Sequence, residues 1–150
     1  MSVFQAGYAY GQEAGYVEEF TPDGSATHVP GDLVFYDTAT QTMKKCGADP
    51  ALIAAVSEVT SQSAKLLTPN GKVPYRLLTL GSVVKMPCSS APAETNVGVA
   101  YGVVNVSGVW QVDFTDTGNT RVLVRRVVIG EDSAYVQFIA ANLQFDSVVA

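Results

Sequence analysis

The single histidine of this 150-residue chain, His28, is the one imidazole that could act as a general base. A hydrolytic triad would need it beside a nucleophile and an orienting acid. It stands instead in Thr27-His28-Val29-Pro30, between turn signals, and no nucleophile elbow occurs in the chain. The sequence therefore reads His28 as a surface or loop-packing residue. Adjacent carboxylates occur at Glu18-Glu19 and Glu131-Asp132. Neighbours on a strand point apart, so neither doublet makes an acid–base pair by itself, and solvated turns are the expectation. Asn70-Gly71-Lys72-Val73 has the outline of a phosphate loop, but position 66 is Leu66 where the first glycine belongs. Val73 also stands where Ser or Thr would hold magnesium. It reads as a hairpin turn. Cys46 and Cys88 are far apart, and neither CxxC nor HExxH occurs. No catalytic residue, cofactor or metal site is expected.

Composition bounds the remaining choices. Charged residues make up 15% of the chain and hydrophobic residues 47%, with a mean hydropathy of +0.18. The charge is well below the usual quarter. It implies either apolar surface covered by partners or a surface rich in Ser, Thr, Asn and Gln. One domain is expected, long enough to bury roughly 68–70% of its unfolded surface. The net charge of −5 and pI near 4.6 offer nucleic acid no basic footprint. Arg121, Arg125 and Arg126 form the nearest basic cluster and read as charges that block strand aggregation. The first residues have neither the basic nor the apolar region of a signal peptide, and no apolar run spans a bilayer. Two reduced thiols made in a cytosol are the expectation. A Cys46–Cys88 disulfide stays open, because sequence does not supply the Cα separation. Asn105-Val106-Ser107 matches a glycosylation sequon that has no use without a secretory route.

The elements read as all-β: a small β-barrel or β-sandwich with hairpin turns, an extended N-terminal arm and at most one short helix. Residues 1–17 form the arm, and residues 18–150 a single domain. In the arm, Gly7, Gly11 and Gly15 alternate with Phe4, Tyr8, Tyr10 and Tyr16. Glycines this dense disfavour helix, and rings on an extended segment can dock on a neighbour; the alternative is a frayed terminus or a first strand folded onto its own barrel. Thr21-Pro22-Asp23-Gly24 is a turn. Residues 32–36 read as a strand apolar on both faces, buried or at an interface through Phe35 and Tyr36. Asp49-Pro50 could cap a helical turn over 51–55, although residues 53–59 could equally be a strand. Strands follow at 73–80, 83–86 and 97–106, with a loop between the last two. Trp110, Val112 and Phe114 alternate with Gln111, Asp113 and Thr115, the pattern of a half-buried strand. Residues 121–129 and 135–139 flank the turn at Gly130-Glu131-Asp132-Ser133. Repeated short strands with turn signals suggest a barrel or sandwich. The sequence shows no second domain boundary and no internal repeat.

Two stretches carry a family resemblance. One is Pro30-Gly31-Asp32-Leu33-Val34-Phe35-Tyr36-Asp37, continuing through Met43-Lys44-Lys45-Cys46-Gly47-Ala48-Asp49-Pro50 to Val56-Ser57-Glu58-Val59. The other is Val109-Trp110-Gln111-Val112-Asp113, then Thr120-Arg121-Val122-Leu123-Val124 and Tyr135-Val136-Gln137-Phe138. Together they resemble the capsid decoration, or cement, proteins of tailed bacteriophages over about half the chain. The resemblance implies a structural virion protein rather than an enzyme. It would be made in the host cytoplasm and bound to the outer surface of the phage major capsid protein shell, stabilising the head. It implies a homo-oligomer, a trimer ahead of a dimer, with no nucleic-acid or membrane partner. Phe4, Tyr8, Tyr10, Tyr16, Phe35 and Tyr36 are the candidate capsid or subunit contacts. The alternatives are another virion β-module, such as a tail, baseplate or receptor-binding head-fibre component, and, behind it, a carboxylate-dependent hydrolase.

Overall fold

Alternating β-branched and aromatic residues give the chain strands with one buried face, and glycines at positive φ give it turns. In the computed structural model, which describes residues 5–6, 17–25, 27–61 and 70–145, eleven strands form. They are β1 (Gln5–Ala6), β2 (Val17–Phe20), β3 (Leu33–Asp37), β4 (Thr42–Lys45), β5 (Ala55–Ser57), β6 (Val73–Leu77), β7 (Val83–Pro87), β8 (Ala100–Val106), β9 (Val109–Asp113), β10 (Val122–Val128) and β11 (Ser133–Phe138). Short 3-10 turns at Glu94–Asn96, Ile129–Glu131 and Ala140–Asn142 complete the described elements, and none of these reaches seven residues. The fold is all-β: two curled antiparallel sheets forming a half-barrel.

The first sheet runs β2-β6-β5-β3-β4 and the second β1-β7-β11-β10-β8-β9. Without β1, these are one topology used twice. A parallel bridge links the ends of each curled sheet, Pro22 to Met43 in the first and Cys88 to Val112 in the second. The hydrogen bonds repeat with the topology. Gly31 N–H donates to Ser57 O (2.9 Å) as Gly98 N–H does to Val124 O (2.8 Å). Both glycines have positive φ, 94° and 82°. Ala54 donates to Val34 as Arg121 does to Tyr101, and Leu78 to Ala54 as Ile139 to Arg121. Asp23 N–H donates to Met43 O as Ser89 N–H does to Val112 O. The sequence shows no repeat because these correspondences are of backbone register. The side chains differ: Val34 matches Tyr101, Met43 matches Val112, and Leu77 matches Phe138.

The core follows from these registers. Inside the first curl lie Val34, Met43, Ala55, Val73, Tyr75 and Leu77, with Phe20, Tyr36 and Phe145 packed against them. The larger core holds Tyr101, Val103, Trp110, Val112, Val122, Val136 and Phe138 of the second sheet. It also takes Leu33, Ile53, Val56 and Leu78 from the first sheet. Paired residues share a face, so Leu33 and Val56 leave the first curl on its far side and bind the two sheets together.

The chain crosses between the sheets at both ends of the described region. β1 pairs with β7, Gln5 opposite Lys85 and Ala6 opposite Val84. Residues 5–6 of the expected extended arm form a strand on the second sheet, and Val17 already belongs to β2. At the other end, Asn142–Phe145 returns to the first sheet. Ile53 N–H donates to Asn142 O (2.7 Å) and Gln144 N–H to Ile53 O (2.9 Å). The Gln144 amide then clamps the Tyr36 backbone, accepting from its N–H and donating to its C=O, each at 2.7 Å.

The helical turn considered over 51–55 does not form. Ile53 bridges Leu143 and Ala55–Ser57 is β5, so tertiary pairing outweighs the Asp49-Pro50 cap signal. Besides β1, two strands have no counterpart in the sequence reading: β2, written VEEF, and β4, written TMKK. Both are short and charged, and both lie at the ends of the first sheet.

Candidate functional site

Residues 46–52, in the loop joining β4 to β5, lie where the two sheets leave space. An apolar hollow of about 300 Å³ lies on one side, lined by Phe35, Cys46, Pro50 and Leu52 among others. On the other side a hollow of about 340 Å³ opens against the second sheet, walled by Val103, Asn105, Trp110, Asp113 and Asp116. Arg121 holds the loop between them. Its Nε donates to Pro50 O and its Nη2 to Asp49 O (3.3 Å), while Nη1 reaches Thr120 O (2.9 Å). The three arginines of the basic cluster thus part company. Arg121 organises this loop, Arg125 donates to Gln137 Oε1 (2.8 Å), and the Arg126 guanidinium stacks 4.4 Å from the Tyr135 ring centre.

The acidic side of the larger hollow is built into turns. Asp113 Oδ1 accepts from Thr115 N–H and Oγ1–H, and Asp116 Oδ1 accepts from the N–H groups of Gly118 and Asn119. Asp116 lies across β8 at Gly102, where an added Cβ would come within 2.4 Å of Asp116 Oδ2. A glycine inside a strand pattern is the sequence signal of such a close approach. Gly102→Ala is therefore expected to cost about 1–3 kcal/mol in a urea titration, because Asp116 is tethered and cannot swing away freely. Adding Asp116→Ala should recover part of that loss. Equal stability of Gly102→Ala and wild type would show that the contact relaxes at no cost.

Cys46 and Cys88 are free thiols, which closes the disulfide alternative. Cys46 donates a weak hydrogen bond to Leu52 O (3.6 Å). Burial, with a smaller contribution from Asp32, pushes its pKa up to about 12. Burial, aided by Asp132, pushes Cys88 to about 11. Neither thiol is a thiolate near neutrality, and only the thiolate is a good nucleophile.

His28 is wholly buried, so the loop-packing reading holds and the surface reading does not. Its Nδ1 lies 2.7 Å from Tyr75 Oη. Among the described residues its Nε2 has no hydrogen-bond partner. Ser61 binds the histidine backbone rather than its ring: Oγ accepts from His28 N–H, and Ser61 N–H donates to His28 O, both at 2.8 Å. Ring and hydroxyl therefore do not form a nucleophile–base pair here. Burial lowers the imidazole pKa below its ordinary value, against the pull of Asp32. Desolvation also raises the Tyr75 phenol, which keeps its proton.

Of the candidate contact residues, Phe4, Tyr8, Tyr10 and Tyr16 lie outside the described residues. Phe35 and Tyr36 point to opposite faces of β3. Phe35 is half-buried and lines the apolar hollow. Tyr36 packs inward, its ring centre 5.6 Å from that of Phe20 and 6.2 Å from that of Phe145. The Arg121 clamp carries no sequence signal, since its acceptors in the loop are backbone carbonyls 71 and 72 positions away. Among the described residues, no group of three or more His, Cys, Asp or Glu side chains could hold a metal ion. No helix among them is long and apolar enough to cross a membrane. No protein-family model, curated protein or solved structure matches the chain.

Proposed function

We propose that this chain is a structural virion protein that binds the outer surface of a phage capsid shell and stabilises the head. The observation that carries this reading is apolar surface on a body poor in charge. Val17, Val29, Leu52, Leu80, Val97, Val99, Val106 and Ile129 are all more than a third exposed. With 15% charged residues, few charges surround them. Most of these side chains stand on turns and strand ends, where a partner can reach them without disturbing either core. Two cores joined by Leu33 and Val56 provide a stiff body behind such contacts. Specific recognition needs only about 800 Å² per partner, and contacts to several capsid subunits at once add avidity. A homo-oligomer, a trimer ahead of a dimer, would multiply them.

The test is co-sedimentation of the purified protein with undecorated, expanded capsids of its own phage, with light scattering to give the free oligomer. Saturable binding at a fixed ratio to the capsid subunit is the expected result. Folded protein that leaves intact capsids bare would defeat the proposal and favour a tail, baseplate or receptor-binding component.

A further inference from the structure

We propose that the outer edge of β2 is a strand-addition site for an extended segment of another polypeptide that carries lysine or arginine. The inference goes beyond the virion reading and does not require it.

The repeated topology is the starting point. β2 and β7 hold the same place in their sheets, and the registers Phe20–Val73 and Met86–Ala134 align Glu19 with Lys85. On the second sheet this edge is filled: β1 pairs there, with Gln5 opposite Lys85. On the first sheet the corresponding edge has no strand among the described residues. All four β2 residues are at least partly exposed.

The backbone geometry shows which groups are on offer. Asp23 N–H donates to Met43 O (2.8 Å), and Thr21 O accepts from Met43 N–H (2.9 Å), so both residues of β2's continuation point away from β6. Alternation along a strand turns the N–H and C=O of Glu19 and Val17 the same way. The partner of Glu19 on β6 is Pro74, which has no N–H to give. Proline fits there because that pair exchanges no hydrogen bond. Two donors and two acceptors thus face outward at the spacing an added strand uses.

Charge selects the occupant. Glu18 and Glu19 stand on opposite faces of β2 and are exposed, so they flank the edge from both sides. An incoming strand with basic side chains would meet a carboxylate on either face. The terminal segments of this chain do not match: residues 1–16 and 146–150 contain no lysine or arginine, and each contains an acid, while residues 62–69 carry a single basic residue, Lys65. A second copy's termini fit no better. The acidic edge also excludes indiscriminate strand pairing, which charged edges discourage.

The probe is an eight-residue, end-blocked peptide of valine and threonine carrying three arginines, titrated into isotopically labelled full-length protein. Its control has glutamate in place of each arginine. Amide shifts confined to residues 17–20 and their neighbours are expected. Binding should be at least tenfold tighter for the arginine peptide and should weaken as salt rises. Glu19→Pro removes an outward N–H together with one edge carboxylate but no bond to β6, so it should stay folded and lose binding at least tenfold, and by more than Glu19→Gln, which keeps the N–H. Val17 and Glu19 amides already protected from exchange in the free protein would overturn the proposal, because the edge would then be filled by the chain itself or a second copy. Equal binding of both peptides, or shifts elsewhere on the molecule, would overturn it too.

Discussion

Leu33→Ala is expected to lower the stability of the whole molecule by about 2–5 kcal/mol, the range for deleting a fully buried leucine. Leu33 sits in β3 of the first sheet, but its side chain is buried in the core of the second. Its loss should therefore move a single cooperative unfolding transition without splitting it, with the denaturant slope unchanged. Its register equivalent is Ala100, half-buried at the start of β8. Ala100→Val, at the matching position, should change stability by less than about 1 kcal/mol, as partly exposed sites usually do. The comparison separates topology from packing: one backbone position, two environments, two costs. If Leu33→Ala gives a two-step urea transition in which only one half unfolds early, the sheets are energetically independent and the joint-core account is wrong.

Acid should destabilise the protein in a window set by one residue. The folded state holds His28 below its ordinary value of 6.5 because burial disfavours the charged ring. Below that value the unfolded chain binds a proton that the folded chain resists. Stability is then greatest above about pH 6.5 and falls as the pH drops through and below it, until the folded ring also titrates. Tyr75 Oη beside Nδ1, and an Nε2 with no acceptor among the described residues, supply no carboxylate to hold an imidazolium. Asp32 and Asp23 attract the charge weakly and Lys45 repels it. One proton can contribute at most about 1.4 kcal/mol per pH unit. Urea midpoints measured between pH 7.5 and 5 should fall as the pH drops, with a slope no steeper than that limit. His28→Gln should flatten the profile, since the chain has no other histidine. Asp37, held near 2 chiefly by Lys44, titrates well below this window. An unchanged slope in His28→Gln would assign the acid response to another group.

The second half of the chain was the more legible. Alternation through Trp110 and Val112, the Ser107-Gly108 turn and the hairpin around Gly130 all appear as β8 to β11, with Ser107 and Gly108 both at positive φ. Local pattern and tertiary pairing agree there. They diverge in β2 and β4, where Glu, Lys and Thr fill strands completed by their neighbours' backbones. The repetition is invisible because nothing in a hydrogen-bond ladder requires the same side chain twice. Gly31 and Gly98 are its clearest residue-level trace, since both turns need positive φ. The loop at 46–52 shows the other limit. Cys46, Asp49 and Pro50 are visible in sequence, but the arginine that ties them down is remote, and it works through geometry rather than a motif.

The crossed ends have a mechanical meaning. A molecule assembled as two beads on a string would yield at the string, and a pull on one bead would reach the other only through a linker. Here the segment preceding the first sheet is zipped to the second, and the segment following the second is buttoned into the first by Gln144. Drawing the halves apart must release Tyr36 and open the seam at Leu33 and Val56 together. Load is shared among these fastenings, as in a lashed joint, so the body should behave under tension as one stiff piece.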